Sequence, residues 1–132
     1  MRNNSSLKPF IMFALNSGLC KTAELELVKF ALQVPVKQVQ GCYLNEIEDA
    51  YVVPFEPGNV YENGKLMESV TKLARQYNQE SILLSDQERN SFLYFIEIDS
   101  WKPIGVFTRV SPSEAMDGEA WTRDGNQFWT CK

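Results

Sequence analysis

The sequence predicts an α+β fold: a ferredoxin-like α/β sandwich, with two helices on one face of a mainly antiparallel sheet and a C-terminal β-hairpin added. Three observations carry this. Strand-like and helix-like patterns alternate in the order β-α-β-β-α-β. The second helical segment holds a clean 3.6-residue apolar period. An Asp-Gly pair sits between two aromatic, alternating runs near the end of the chain, a strong hairpin signal.

Each element follows from local pattern. Phe10-Ile11-Met12-Phe13-Ala14-Leu15 is a continuous apolar run, expected of a strand covered on both faces, and Asn16-Ser17-Gly18 ends it. Thr22 is a candidate N-cap for a helix with Leu25, Val28, Ala31 and Leu32 at helical spacing. Pro35 opens an extended segment over residues 36–44. A second strand, Ala50-Tyr51-Val52-Val53, is stopped by Pro54 and Pro57-Gly58. The best helix spans residues 65–77, with Leu66, Met67, Val70, Leu73, Ala74 and Tyr77 on one face and Asn78 as its stop. Strands follow at residues 81–84 and 92–96, joined by a polar turn, then at residues 104–110. The hairpin runs from Ala120 to Thr130 about the turn Arg123-Asp124-Gly125-Asn126.

The 132 residues make a single domain, residues 1–132, with no linker or internal repeat. At 44% hydrophobic and 12% aromatic, the chain is too apolar for disorder. A net charge of -4 argues against tracking of nucleic-acid phosphates and is compatible with a cationic ligand. No histidine is present, which removes the Ser-His-Asp and Cys-His dyads and His-based metal sites. Cys20, Cys42 and Cys131 are widely spaced and form no CxxC, so they read as buried free thiols in a reducing compartment, and no metal site is expected. The longest apolar run falls far short of a membrane span, and the polar N-terminal residues 1–6 lead into no cleavage pattern. A soluble, cytoplasmic protein is expected. Phe92, Tyr94 and Ile96 alternate with Leu93 and Phe95, so both faces of that strand are apolar. Burial of the second face calls for oligomerisation, or for a folded-over C-terminal hairpin.

Three segments could carry chemistry. Residues 41–53 place Glu46, Glu48 and Asp49 beside Tyr43 in the joint between two strands. A carboxylate there, partly desolvated, would gain from a cationic partner; a solvated acidic loop is the plainer reading. Residues 77–84 cluster polar groups, Gln79 and Glu80 among them, at a helix-to-strand junction that also reads as a helix cap. Residues 104–110 and the Trp121–Trp129 stretch offer either a stacking wall for a flat ligand or a hairpin core.

The joint order of these segments resembles one family. Gly41-Cys42-Tyr43 is followed by an acid before a strand, then by Leu73-Ala74-Arg75-x-Tyr77-x-Gln79-x-Ser81-Ile82-Leu83-Leu84. Ile104-Gly105-Val106-Phe107-x-x-Val110 and Thr122-x-Asp124-Gly125-x-x-Phe128-Trp129 complete it. This order is similar to the phage-encoded S-adenosylmethionine hydrolases, better described as lyases, from Gly41 to Trp129. The resemblance implies a ferredoxin-like fold and a homotrimer with active sites between subunits. It also implies no cofactor beyond the substrate, S-adenosylmethionine, and a phage product acting in the bacterial cytoplasm. It maps the key tyrosine and glutamate onto Tyr43 and Glu48, and places Gln79 and Glu80 near the ligand. The stretch between Tyr43 and Glu48 is several residues shorter here than in the phage enzyme. Glu48 is therefore assigned by its offset from the strand, with Glu46 the competitor. The activity implied is closure of the substrate's own carboxylate onto its γ-carbon, giving 5′-methylthioadenosine and homoserine lactone, in counter-defence against the host. A non-catalytic phage inhibitor of a host enzyme, or a protein that binds an adenosyl ligand without turnover, fits the same acidic charge.

Overall fold

The computed structural model describes residues 8–56 and 58–132. The polar N-terminal stretch and Pro57, one of the expected strand stops, lie outside the described residues. The elements are β1 (Phe10–Phe13), α1 (Lys21–Leu32), β2 (Lys37–Tyr43), β3 (Glu46–Pro54), α2 (Val60–Gln76) and β4 (Ser81–Ser85). They continue as β5 (Asn90–Phe95), β6 (Ser100–Val110), α3 (Pro112–Asp117), β7 (Ala120–Asp124) and β8 (Gln127–Cys131).

The sheet is not an open ferredoxin-like layer. Its strands close into an antiparallel barrel in the order β1-β3-β2-β7-β8-β6-β5-β4, and this corrects the expected sandwich. The physical reason lies in the C-terminal hairpin. Rather than an appendage, it bridges the two halves: β7 pairs with β2 (Gly41 opposite Thr122) and β8 pairs with β6 (Arg109 opposite Trp129). The ring closes on its other side where β1 pairs with both β3 and β4. Closure removes both free edges and encloses the second apolar face, so that face no longer calls for a partner subunit.

Alternation along the strands sorts residues onto two sides. Ile11 and Phe13 of β1, Tyr51 and Val53 of β3 and Ile82 of β4 join Val28 and Leu32 of α1 and Val70, Leu73 and Ala74 of α2 in the main core. The intervening residues face the barrel interior. Contacts between strands that are not neighbours cross it: Phe10 and Phe107 meet edge-to-face at 5.3 Å, and the Thr122 hydroxyl lies 3.8 Å from the Met12 sulfur. The guanidinium of Arg89 caps the Phe10 ring and donates to the Lys8 carbonyl at 2.7 Å, plugging that end.

Several elements extend beyond their expected bounds, and the causes are local. β3 begins at Glu46, because the two-residue turn Leu44-Asn45 (φ 50° and 70°) has the left-handed geometry that matches strand twist in a tight hairpin. The acidic joint is therefore a strand, not a loop. α2 starts a turn earlier than the apolar period suggests, capped by the Asn59 side chain on the Glu62 amide. α1 begins after Cys20 with no side-chain cap, so Thr22 lies inside the helix. α3 was not foreseen, although Ser111-Pro112-x-Glu114 carries a helix-start pattern, with the Ser111 hydroxyl accepting from the Glu114 amide. Cys20 is exposed and Cys131 only half-buried, so of the three thiols expected in the core only Cys42 is buried. Among the described residues no helix is long and apolar enough to cross a membrane.

β6 changes partner along its length, from β5 over Ser100–Val106 to β8 beyond it, and the register slips at the change. Gly105 sits there with φ +104°, and a Cβ would fall 2.3 Å from the Lys132 carbonyl oxygen. Gly105→Ala should therefore lower unfolding free energy by about 2 kcal/mol or more. Gly64→Ala, in α2 with open space around it, should raise it by about 0.5–1 kcal/mol. Urea unfolding at constant slope measures both; equal effects of the two changes would show that the β6 corner is not strained in the way described.

Candidate functional site

The barrel is plugged at the Phe10 end and open at the other. The interior and open mouth form a cleft of about 1110 Å³. Phe107 and Trp129 stack in parallel in its wall, centroids 5.2 Å apart and planes within 5°. Aliphatic Leu83 and Leu93 stand in the same lining. Acids crowd the mouth: Glu48 of β3, Glu80 before β4, and Glu114, Asp117 and Glu119 on and after α3. Lys132, the one base in the lining among the described residues, is paired with Glu114 at 2.5 Å. Such a rim favours a cation, while the floor suits a flat apolar body.

Four of the five sequence-derived site residues converge on this mouth from separate segments. Tyr43 ends β2 and is 63% exposed. Glu48 lies opposite Gly41 in the β2–β3 pair. It is exposed rather than partly desolvated as expected, and its Oε1 accepts from the Asn16 side-chain amide at 2.8 Å. Gln79 and Glu80 arrive through the end of α2. There Asn78 takes a left-handed conformation (φ 60°), its amide donates to the Arg75 carbonyl and the Gln79 amide donates to the Ala74 carbonyl. This double cap turns the chain sharply, so the segment is at once a helix stop and a cleft wall. Gln79 Nε2 donates to the Leu15 carbonyl at 2.9 Å. Glu46 stands opposite Tyr43 at the hairpin end, outside the lining of the cleft. Trp121 and Trp129 both line the cleft, Trp121 packed on Phe128 and Trp129 on Phe107, whereas Trp101 packs on Tyr94 outside that lining.

A second recess, about 570 Å³, adjoins the mouth and shares Glu48 with it; Asn16, Ser17, Glu24, Gln40 and Asp49 line its other sides. Its base is a buried polar cluster. Glu24 is 6% exposed and accepts from the Tyr51 hydroxyl (2.5 Å), the Ser17 hydroxyl (2.5 Å) and the Ser17 amide (2.9 Å). Burial alone pushes the Glu24 carboxyl up, but these donors outweigh it and hold the group below its usual range. Burial and the facing carboxylate push the Tyr51 phenol well above its ordinary value, so it stays a donor. Sequence reasoning missed Asn16, Ser17 and Glu24. For Glu24 a signal existed: it occupies an apolar stripe with Val28 and Leu32 at four-residue steps. Among the described residues no three His, Cys, Asp or Glu side chains group as metal ligands would.

The closed antiparallel barrel thus holds a cleft of ligand size, with carboxylates and aromatic rings in its lining, the kind of place where a small molecule binds. Over residues 16–132 the chain matches the model of the S-adenosylmethionine lyase family, and it belongs to that family. It is an S-adenosylmethionine lyase by that membership. A comparison with curated proteins finds no match.

The Glu24 cluster has a measurable consequence. Its folded-state pKa lies below the usual 4.5, so its contribution to stability is complete above that value and is lost as pH falls through the lower one. Glu24→Gln should flatten the fall in stability between about pH 5 and pH 3 relative to the parent. Parallel pH–stability curves for the two proteins would contradict this.

Proposed function

We propose that the protein converts S-adenosylmethionine to 5′-methylthioadenosine and L-homoserine lactone by intramolecular attack of the substrate's own carboxylate. The observation that supports this most is the meeting of Tyr43, Glu48, Gln79 and Glu80 at the mouth of a cleft whose far wall is the Phe107–Trp129 stack. The substrate has the same polarity along its length: an ammonium at one end, a sulfonium in the middle and a purine at the other.

In the step itself a carboxylate oxygen bonds to the γ-carbon while the γ-carbon–sulfur bond breaks. The electron pair stays on sulfur, which leaves as a neutral thioether, and no proton need move. The protein's task is to fold the methionine chain into a near-attack conformer and to exclude water, and such positioning can supply several kcal/mol. Glu48 pairs with the ammonium by a charge-assisted hydrogen bond. The Tyr43 hydroxyl holds Glu48 in place, or its ring lies by the sulfonium; only the first role is lost in phenylalanine. Gln79 and Glu80 hold the ligand from the wall across the mouth, and the purine rests on the apolar floor.

The assembly in this reading is a homotrimer with its sites between subunits. Its support is the β2–β3 hairpin tip, where Tyr43, Leu44 and Ile47 are 63%, 57% and 60% exposed beside the cleft. Produced by a phage in a bacterial cytoplasm, the enzyme would deplete the methyl donor on which host methyl-dependent defence relies.

Glu48→Gln should lower the rate of methylthioadenosine formation by about 30- to 1000-fold with the fold intact, whereas Glu46→Gln should stay within about threefold of the parent. Tyr43→Phe should reduce turnover without lowering the melting temperature. Full activity in both glutamine variants would remove Glu46 and Glu48 from the mechanism. Light scattering is expected to return three times the 15.1 kDa chain mass; a monomer at micromolar concentration would end the intersubunit reading.

A further inference from the structure

The segment that leaves β1 is held in an unusual way. Leu15 is fully buried and its carbonyl accepts from Gln79. Ser17 is tied to Glu24 through both its amide and its hydroxyl. Between these two anchors Asn16 takes φ +52°, a left-handed conformation that asparagine tolerates and most residues do not. Its side chain donates to Glu48 Oε1 at 2.8 Å. A carboxylate can only accept, so the amide nitrogen must be the atom that faces it.

We infer that Asn16 is a positioning residue, which holds the Glu48 carboxylate at the cleft mouth. The inference rests on the reading of Glu48 as the ammonium anchor. An exposed glutamate otherwise samples many rotamers, and each ordered torsion must be restrained by something. Here the restraint comes from a side chain whose own backbone is pinned on both sides. One carboxylate oxygen is engaged by Asn16, which leaves the other for the substrate. The buried Tyr51–Glu24–Ser17 cluster supports this from behind: it fixes the backbone from which Asn16 reaches, without touching the cleft acid itself. Asn16 thus acts through Glu48 and contacts no reacting atom.

The test compares Asn16→Gly, Asn16→Asp and Glu48→Gln, singly and combined, with methylthioadenosine formation as readout. Glycine accepts the positive φ and removes only the donor. Aspartate also tolerates it, keeps the shape and sets a carboxylate against a carboxylate. We expect kcat/KM to fall about tenfold in Asn16→Gly and further in Asn16→Asp. On the Glu48→Gln background, Asn16→Gly should add less than about twofold, because no charged group remains to orient. The loss should also shrink with a substrate analogue lacking the α-amino group. A purely structural role would lower the melting temperature and leave the two losses additive. If Glu48→Gln is inactive while both Asn16 variants keep parent activity, the inference fails and the reading of Glu48 stands. If Glu48→Gln is itself fully active, the reading fails first. If the glycine variant does not fold, the aspartate variant and its double mutant decide the matter by the same criteria.

Discussion

The architecture depends on ring closure through β1. This strand has four residues and pairs on both sides, Ile11 standing opposite Val53 on one neighbour and Leu84 on the other. Alternate residues of so short a strand serve two environments at once. Ile11 and Phe13 enter the core beneath α1 and α2, while Phe10 and Met12 reach across the barrel to Phe107 and Thr122. Without the β1–β4 pairing the sheet would have two unpaired edges and no enclosed interior. The cleft, the plug at its far end and the placement of Glu48 beside the exit of β1 all follow from closure.

Much of the local structure was legible, because it is written in short-range pattern. The stripe from Leu66 to Tyr77 marked α2, and the Asp-Gly pair marked the β7–β8 hairpin. The convergence of Tyr43, Glu48, Gln79 and Glu80 was legible through the order of motifs, not through any single one. What could not be read was pairing. Whether Thr122 finds Gly41 across β7 and β2 is decided by contacts some eighty positions apart in the chain, and no periodicity encodes them. The same apolar alternation in β5 suits an open sheet awaiting a partner and a closed one facing itself. The acidic stretch misled for another reason. Glu46-Ile47-Glu48-Asp49 has low strand propensity, yet the Leu44-Asn45 turn and pairing with β2 on one side hold it extended.

Two carboxylates in this small protein have opposite circumstances. Glu24 is buried and fully occupied by three donors, so its charge is committed to the fold. Glu48 is exposed and, among the described residues, accepts one side-chain hydrogen bond, from Asn16, at one of its two oxygens. The two lie on the same recess, separated by Ser17 and Asn16, adjacent in the chain. The desolvated charge is thus kept in the core, while the acid at the cleft mouth stays in water. The cost of burying a carboxylate is met once, in the core, where the donors are permanent.

The hairpin that carries Tyr43 and Glu48 also sets a rule for how such a site can change length. Side chains on a strand alternate sides, so parity matters more than distance. Residues added at the Leu44-Asn45 tip lengthen the rim and leave Glu48 opposite Gly41, in phase with the cleft. A single residue added or lost between Glu48 and Ala50 would swing the carboxylate to the other side of the sheet, where Tyr51 and the helices lie. The tip can thus change length without moving the acid out of phase, whereas the stretch from Glu48 to Val53 is locked in step with the core.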